Sequence, residues 1–247
     1  MKRNSAVTAA ADAAANPAQT GAGGERKQKP WDKMNNIVAT MLLNLTSSAR
    51  YEGALNVDMN EITTNLVPFP RLHFLVASQT PLYALADVRV PPRRLDQMFT
   101  DAFDKHHQLV RCDPRRGRYM ACALMLRGKV EISDIRRNID RIMPTLSFVP
   151  WNPEGWKTGL CGVPPLRQER ALLCLANNTC IKPVFQGLQS RFQRLYRKGA
   201  YKHHFTSEGM DAAQFDVALE SLRALVGLYT EVEAEQPGEA PPRLNVV

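Results

Sequence analysis

The chain has 247 residues, of which 44% are hydrophobic and 23% are charged. These proportions are ordinary for a globular protein, and a chain of this length can bury a core, so the composition excludes a wholly disordered, collagen-like or membrane-spanning chain. The formal net charge of +8 allows an acidic partner without requiring one. The five cysteines form no CxxC pair, so we expect buried, reduced thiols of a cytosolic protein rather than disulfides or a zinc site.

Residues 1–30 differ in composition from the rest of the chain. They are rich in alanine and small polar residues, and Val7 is their only large aliphatic residue apart from Met1. Such a segment cannot bury enough apolar area to offset its ordering entropy. We therefore expect a disordered linker or insertion.

The next segment carries two helical patterns. Apolar residues recur at helical spacing over residues 31–49, which predicts one long helix. A shorter helix is predicted over residues 58–67, because Pro68 and Pro70 prevent its continuation. A strand over residues 72–77 and a loop to Val90 are expected to follow.

The middle of the chain alternates predicted helices with predicted strands. The elements are a helix opened by Pro91 and Pro92, a buried strand over residues 119–126, a helix capped by Ser133, and strands over residues 146–149 and 171–175. Alternation of this kind indicates an α/β layer.

Two long amphipathic helices are predicted at the end of the chain, over residues 182–205 and 211–232. The short connection at residues 207–210 makes them an antiparallel pair. The proline-rich residues 236–247 are expected to form a flexible tail.

Asp58 and Glu61 are the first candidates for chemistry. They are three residues apart and would share a helix face, where two carboxylates could orient a water molecule for attack on a phosphoanhydride. The same pattern has the form of an N-terminal capping box, which the helix dipole would also favour. Spacing alone favours capping.

Trp31 and Asn35 are the second candidates. An aromatic ring and an amide one helical turn apart could stack on a base and bond to its edge. Trp31 could equally be a core anchor at the start of a helix, and periodicity alone favours that interpretation.

The remaining patterns point to no specific activity. The histidines lack carboxylates or thiols at ligand spacing, so no metal site is predicted. Glycine-rich phosphate loops and nucleophile elbows are absent from the sequence. A row of basic residues could bind an acidic surface or simply be solvated, and no nucleic-acid motif accompanies it. This row comprises Arg191, Arg194, Arg197, Lys198 and Lys202.

Several stretches resemble the tubulin family, and they occur in the family's order. They are residues 44–58, 65–73, 110–122, 177–179 and 208–210. Within that family, residues 33–38, 90–99 and 151–158 resemble the epsilon members more than the alpha or beta members. The resemblance covers only the C-terminal half of a tubulin.

The resemblance implies an α/β fold built as a tubulin-like two-layer intermediate domain followed by an antiparallel two-helix domain, without the N-terminal nucleotide-binding domain. The implied boundaries are residues 31–57 for the end of the core helix and its loop, 58–180 for the intermediate α/β sandwich and 181–235 for the C-terminal helices. The implied function is that of a GTP-binding cytoskeletal subunit of microtubules, centrioles and basal bodies in the cytoplasm.

Site roles also follow from the resemblance alone. Trp31 and Asn35 match the positions that contact guanine, and Asp58 and Glu61 match loop carboxylates presented to the nucleotide of a neighbouring subunit. The implied cofactor is GTP, and the implied partners are other tubulin subunits and centriolar or microtubule-associated proteins, not nucleic acid or membrane. Whether the chain takes part in catalysis stays open, because it carries no phosphate loop. The alternative is a stand-alone interaction module that binds no nucleotide.

Overall fold

The structure is a computed structural model that describes residues 31–53, 55–82, 93–166 and 168–235. The predicted linker over residues 1–30, the loop of residues 83–90, the pair Pro91 and Pro92, and the tail over residues 236–247 lie outside the described residues. The chain divides into two units, Met1–Lys33 and Met34–Val247. Only residues 31–33 of the first unit are described, and the fold below is that of the second.

Helices and strands are interspersed through the first two-thirds of the described chain. The helices are α1 (Asp32–Leu45), α2 (Ser47–Arg50), α3 (Met59–Leu66), α4 (Leu95–Ala102), α5 (Ile132–Ile142), α6 (Lys182–Arg197), α7 (Lys202–Ser207) and α8 (Ala213–Ala234). The strands are β1 (Val76–Thr80), β2 (Tyr119–Gly128), β3 (Trp156–Cys161) and β4 (Arg170–Asn178). None of the described helices is both long and apolar enough to cross a membrane.

The four strands form one mixed sheet in the order β1-β4-β2-β3. β4 runs antiparallel to both β1 and β2, whereas β3 runs parallel to β2 at the edge of the sheet. β2 is buried along its whole length, as its continuous apolar sequence predicts. This mixed sheet with its helices confirms the α/β fold class.

Side chains of β2 alternate between two apolar clusters, as the pleat of a strand requires. Cys122, Leu124 and Leu126 pack in the cluster that also contains buried side chains of α4 and α5. Ala121 and Met125 pack in the other cluster, which contains the buried face of α3. Helices therefore cover both faces of the sheet, and α3 is fixed to one of them.

The sheet differs from the sequence prediction at three places. The strand predicted at residues 72–77 lies at Val76–Thr80. Residues 146–149 are not a strand, because Phe148 makes only an isolated bridge to Tyr119. β3 was not predicted, since Trp156–Cys161 is an edge strand with neither a continuous apolar run nor a clear alternation.

Ser133 does not cap α5, contrary to the prediction. The helix begins at Ile132, so its N-cap residue is Glu131. The Ser133 hydroxyl lies inside the first turn and donates a hydrogen bond to the Glu131 carboxylate, at 3.3 Å.

The first of the two predicted C-terminal helices is broken. α6 ends at Arg197, and the left-handed conformations of Gly199, with a φ of 63°, and Tyr201, with a φ of 60°, separate α6 from α7. α6 and α8 nevertheless pair in antiparallel fashion. Lys182, at the start of α6, pairs with Glu233 near the end of α8, and Tyr196 near the end of α6 packs on Phe215 near the start of α8.

Candidate functional site

Asp58 begins α3 as its N-cap residue. Its backbone is extended, with φ −76° and ψ 156°, and its carboxylate accepts a hydrogen bond from the Met59 backbone N–H at 2.7 Å. The side chain is exposed. Asp58 therefore caps the helix as the sequence predicts, while its carboxylate still faces solvent.

Glu61 lies in the first turn of α3, and its side chain is 49% exposed. Its Oε2 atom is 3.2 Å from the Nζ atom of Lys157 on β3. A complete capping box would instead bond this carboxylate to the backbone N–H of Asp58. Asp58 caps the helix through the Met59 N–H rather than the Glu61 N–H, so neither bond of the expected capping box forms among the described residues, and Glu61 is directed toward Lys157.

The loop before α3 is held closely against β3. The Leu160 backbone N–H donates to the Leu55 carbonyl at 2.9 Å. A Cβ atom at Gly53 would stand 2.3 Å from the Leu160 carbonyl oxygen, so only glycine permits this approach. Asp58 is consequently presented from a fixed position rather than from a free loop.

Two buried side chains anchor α3 to the sheet. Ile62 is 4% exposed and Leu66 is fully buried, and both pack with Ala123 of β2. The Asn177 amide of β4 donates to the Leu66 carbonyl at 2.8 Å and to the Leu72 carbonyl at 2.7 Å. α3 is therefore anchored at its far end, and its start presents Asp58 and Glu61 to solvent, where Glu61 meets Lys157 of β3.

The side chains of Trp31 and Asn35 are both exposed to solvent. Trp31 immediately precedes α1, and its side chain is 65% exposed. Asn35 lies in α1 and is also exposed. The interpretation of Trp31 as a core anchor is therefore wrong within this chain.

The predicted basic row follows the end of α6 into α7. Four of its five residues are exposed, Lys202 is half-buried, and none of the five forms an ion pair within the described residues. The Lys202 ammonium lies 5.2 Å from the centre of the Tyr196 ring. The Tyr196 hydroxyl bonds to Asp216 of α8, which raises the pKa of this tyrosine. Exposed Leu188 and Leu195 lie on the same helix.

Lys157 is the residue of this site that sequence reasoning missed. Its position depends on β3, which the local pattern does not reveal, and on a parallel pairing with β2 that places Lys157 opposite Ala123. The residues around Lys157 in the sequence do not indicate that its side chain pairs with Glu61. Only the sheet order brings it to Glu61.

Comparisons with known proteins identify the family of the chain. Residues 70–190 match the family described as the tubulin C-terminal domain. The chain is 36% identical over 215 residues to the tubulin alpha-B chain of Neurospora crassa, covering 83% of this chain and 48% of that protein. The chain therefore belongs to the tubulin family, as the resemblance predicts.

The chain shares a higher sequence identity with two tubulin epsilon chains than with the alpha-B chain. Over 230 residues the chain is 58% identical to the tubulin epsilon chain of Homo sapiens, covering 92% of this chain and 48% of the human protein. It is also 58% identical over 229 residues to the tubulin epsilon chain of Mus musculus. The chain thus spans about half the length of these curated relatives, and the resemblance to the C-terminal half of an epsilon-tubulin is confirmed.

Proposed function

We propose that this chain is the C-terminal part of a GTP-dependent cytoskeletal subunit of microtubules, centrioles and basal bodies. In this proposal Asp58 and Glu61 promote hydrolysis of GTP held by a neighbouring subunit. The observation that supports it is the fixed, solvent-facing start of α3, where both carboxylates stand at the surface and Glu61 pairs with Lys157. Membership of the tubulin family supplies the nucleotide and the kind of neighbour.

The chemistry divides between the two subunits. Hydrolysis needs a water molecule held in line with the terminal phosphoanhydride, and a carboxylate can orient that water and accept its proton. Asp58 has one oxygen on the Met59 N–H, which fixes the orientation of its carboxylate. Glu61 is held by the Lys157 ammonium, which can also face phosphate oxygens.

Trp31 and Asn35 fit a different part of the nucleotide. An exposed indole ring and an exposed amide are the groups that stack on a purine and bond to its edge. The sequence holds no glycine-rich phosphate loop, so these residues would contact the base only. In the proposal, the phosphates of that nucleotide are held by residues outside this chain.

A second candidate function is a tubulin-like interaction module that needs no nucleotide. The basic row on α6 and α7 favours it, because its charges have no ion-pair partner within the described residues. Leu188 and Leu195 are 55% and 48% exposed beside them. A surface of this composition suits a centriolar or microtubule-associated protein with an acidic segment.

One binding experiment separates the two functions. The chain would be mixed with tubulin loaded with GTP or with GDP, and complex formation followed by sedimentation velocity. The first function predicts binding that depends on the partner's nucleotide and weakens in Glu61→Arg, with Glu52→Arg as a matched control on another exposed carboxylate. Binding that ignores the nucleotide and weakens only in Arg191→Glu together with Arg194→Glu would contradict the first function and support the second.

A further inference from the structure

A second site lies between the loop of residues 111–118 and the turn Thr179–Ile181. A cavity of about 570 Å³ opens there, and both Cys112 and Cys180 line it. Two carboxylates that line it, Asp113 and Glu233, are paired with Arg116 and Lys182. The basic side chains of Lys105 and Arg111 also line it, and neither forms an ion pair within the described part of the chain. The proposed tubulin functions make no use of this cavity.

Four hydrogen bonds fix the geometry of the two segments. The Thr179 N–H donates to the Arg118 carbonyl at 3.1 Å, and the Arg118 N–H donates to the Thr179 hydroxyl at 2.9 Å. The Asn178 amide donates to the Pro114 carbonyl at 3.2 Å, and its oxygen accepts from the Cys180 N–H at 2.7 Å. These bonds tie the loop that carries Cys112 to the turn that carries Cys180, and Cys112 packs against the apolar cluster that contains Cys180.

The two thiols differ in exposure and in chemistry. Cys180 is buried, whereas Cys112 is half-buried and reaches the cavity. The Cys180 thiol donates a hydrogen bond to the Cys112 sulfur, which lowers the pKa of Cys112 and raises that of Cys180. Cys112 is thus the thiol that ionises first and the one that an external reagent can reach.

A second thiol pair in the same chain shows that proximity alone is not enough. The Sγ atoms of Cys122 and Cys174 lie 3.4 Å apart on neighbouring strands β2 and β4. These residues are 0% and 3% exposed inside the apolar cluster of the sheet, and burial raises the pKa of Cys122 well above its ordinary value. No reagent reaches this pair while the sheet is folded.

We propose that Cys112 and Cys180 form a reactive dithiol site for small disulfides that carry carboxylates, such as glutathione disulfide. The Cys112 thiolate attacks one sulfur of the disulfide RSSR, forming a mixed disulfide Cys112–S–SR and releasing one thiolate RS⁻, which takes up a proton. The Cys180 thiol then loses its proton and attacks the Cys112 sulfur, forming the Cys112–Cys180 bridge and releasing a second RS⁻. The protein dithiol is oxidised and RSSR is reduced to two RSH.

The basic lining accounts for the class of reagent. Lys105 and Arg111 attract a carboxylate-bearing disulfide to the cavity, whereas they offer no such attraction to a neutral one. The bridge would tie the loop before β2 to the turn from which α6 begins. The site therefore couples the redox state of small thiols to the base of the C-terminal helices.

Peptide mapping of the unmodified full chain tests the proposal without any substitution. The reduced chain would be incubated with glutathione disulfide, digested without reduction and analysed by mass spectrometry. The expected result is a bridge joining Cys112 and Cys180, with a loss of about 2 Da from the intact chain. A bridge between Cys122 and Cys174, or no oxidation of Cys112 under these conditions, would overturn the proposal.

Three variants and one reagent identify the steps. Cys180→Ser should retain one glutathione on Cys112, because the second attack cannot occur, and Cys112→Ser should leave Cys180 unmodified. Cys174→Ser is the matched control, in which the Cys112–Cys180 bridge should form at the same rate. Neutral hydroxyethyl disulfide should react more slowly than glutathione disulfide by about tenfold. Equal rates for the two reagents would overturn the role assigned to the basic lining.

Discussion

The Nζ atom of Lys157 lies 3.2 Å from the Oε2 atom of Glu61, which joins β3 to the first turn of α3. The two side chains are 35% and 49% exposed, so solvent screens their attraction. The contact therefore orients Glu61 at the surface more than it stabilises the fold. It also places a positive charge next to Glu61, one of the two carboxylates proposed to act on a neighbour's nucleotide.

Glu61→Gln and Lys157→Met should each change the free energy of unfolding by less than about 1 kcal/mol, because the pair is exposed. Urea unfolding of each variant measures this change. Ile62→Ala, one residue along α3, is the contrasting variant and should cost about 2–5 kcal/mol, since Ile62 is buried in the core. A cost for Glu61→Gln as large as that for Ile62→Ala would contradict the surface role of Glu61.

Asp58→Ala should lower the free energy of unfolding by about 1 kcal/mol, the usual cost of losing an N-cap side chain. Asp58→Asn should retain most of this stability, since its amide oxygen can accept the same hydrogen bond from Met59 N–H. Thermal unfolding of the two variants distinguishes capping from charge. Equal destabilisation by both would show that the carboxylate charge, rather than the hydrogen bond, supports α3.

Asn177→Ala should destabilise the chain by about 2–3 kcal/mol, because it leaves the buried carbonyls of Leu66 and Leu72 without their donor. Chemical denaturation measures the loss. Asn65→Ala is the matched control, since the amide of Asn65 bonds to the Glu61 carbonyl on an exposed face. If both substitutions cost the same, Asn177 does not anchor the end of α3.

Asp104 gives a prediction for pH. Its carboxylate accepts a hydrogen bond from the His106 N–H at 2.9 Å, and this bond, together with nearby positive charges including Arg115, lowers its pKa below the ordinary 3.8. Folding therefore favours the ionised form, so this stabilisation is present above the ordinary pKa and is lost as the pH falls through the folded-state pKa.

The variant Asp104→Asn tests whether the stabilisation by Asp104 is lost on acidification. It should be less stable than the unmodified chain at about pH 7, and the difference should shrink at about pH 3 as Asp104 becomes protonated. Urea unfolding at the two pH values measures both differences. A gap that widens on acidification would contradict the assigned pKa direction.

The sequence predicted those helices and strands that neighbouring residues specify by themselves. Asp58 predicts the start of α3, because aspartate is a common N-cap residue, and the continuous apolar run of β2 predicts a strand buried on both faces. The break between α6 and α7 was missed although Gly199, just past the end of α6, has a φ of 63° and is the residue type that commonly ends a helix. The left-handed conformation of Tyr201 is the part of the break that its residue type does not predict.

The candidate site could be predicted only in part, because one of its residues is brought in by contacts between segments that are distant in the sequence. The two carboxylates stand close together in the sequence, and the family resemblance marks their positions. Lys157 reaches Glu61 only because β3 pairs in parallel with β2 at the edge of the sheet. A pairing between segments so distant in the chain leaves no periodic signal in the sequence of either one.

The most direct test of the proposed function is phosphate release from a neighbouring subunit. A tubulin partner loaded with labelled GTP would be assembled with a protein carrying this chain, and a single turnover followed. The unmodified chain should accelerate release, and Asp58→Ala combined with Glu61→Ala should reduce that acceleration by about a hundredfold or more while complex formation persists. Unchanged release by the double variant in an intact complex would contradict the proposed role of the two carboxylates.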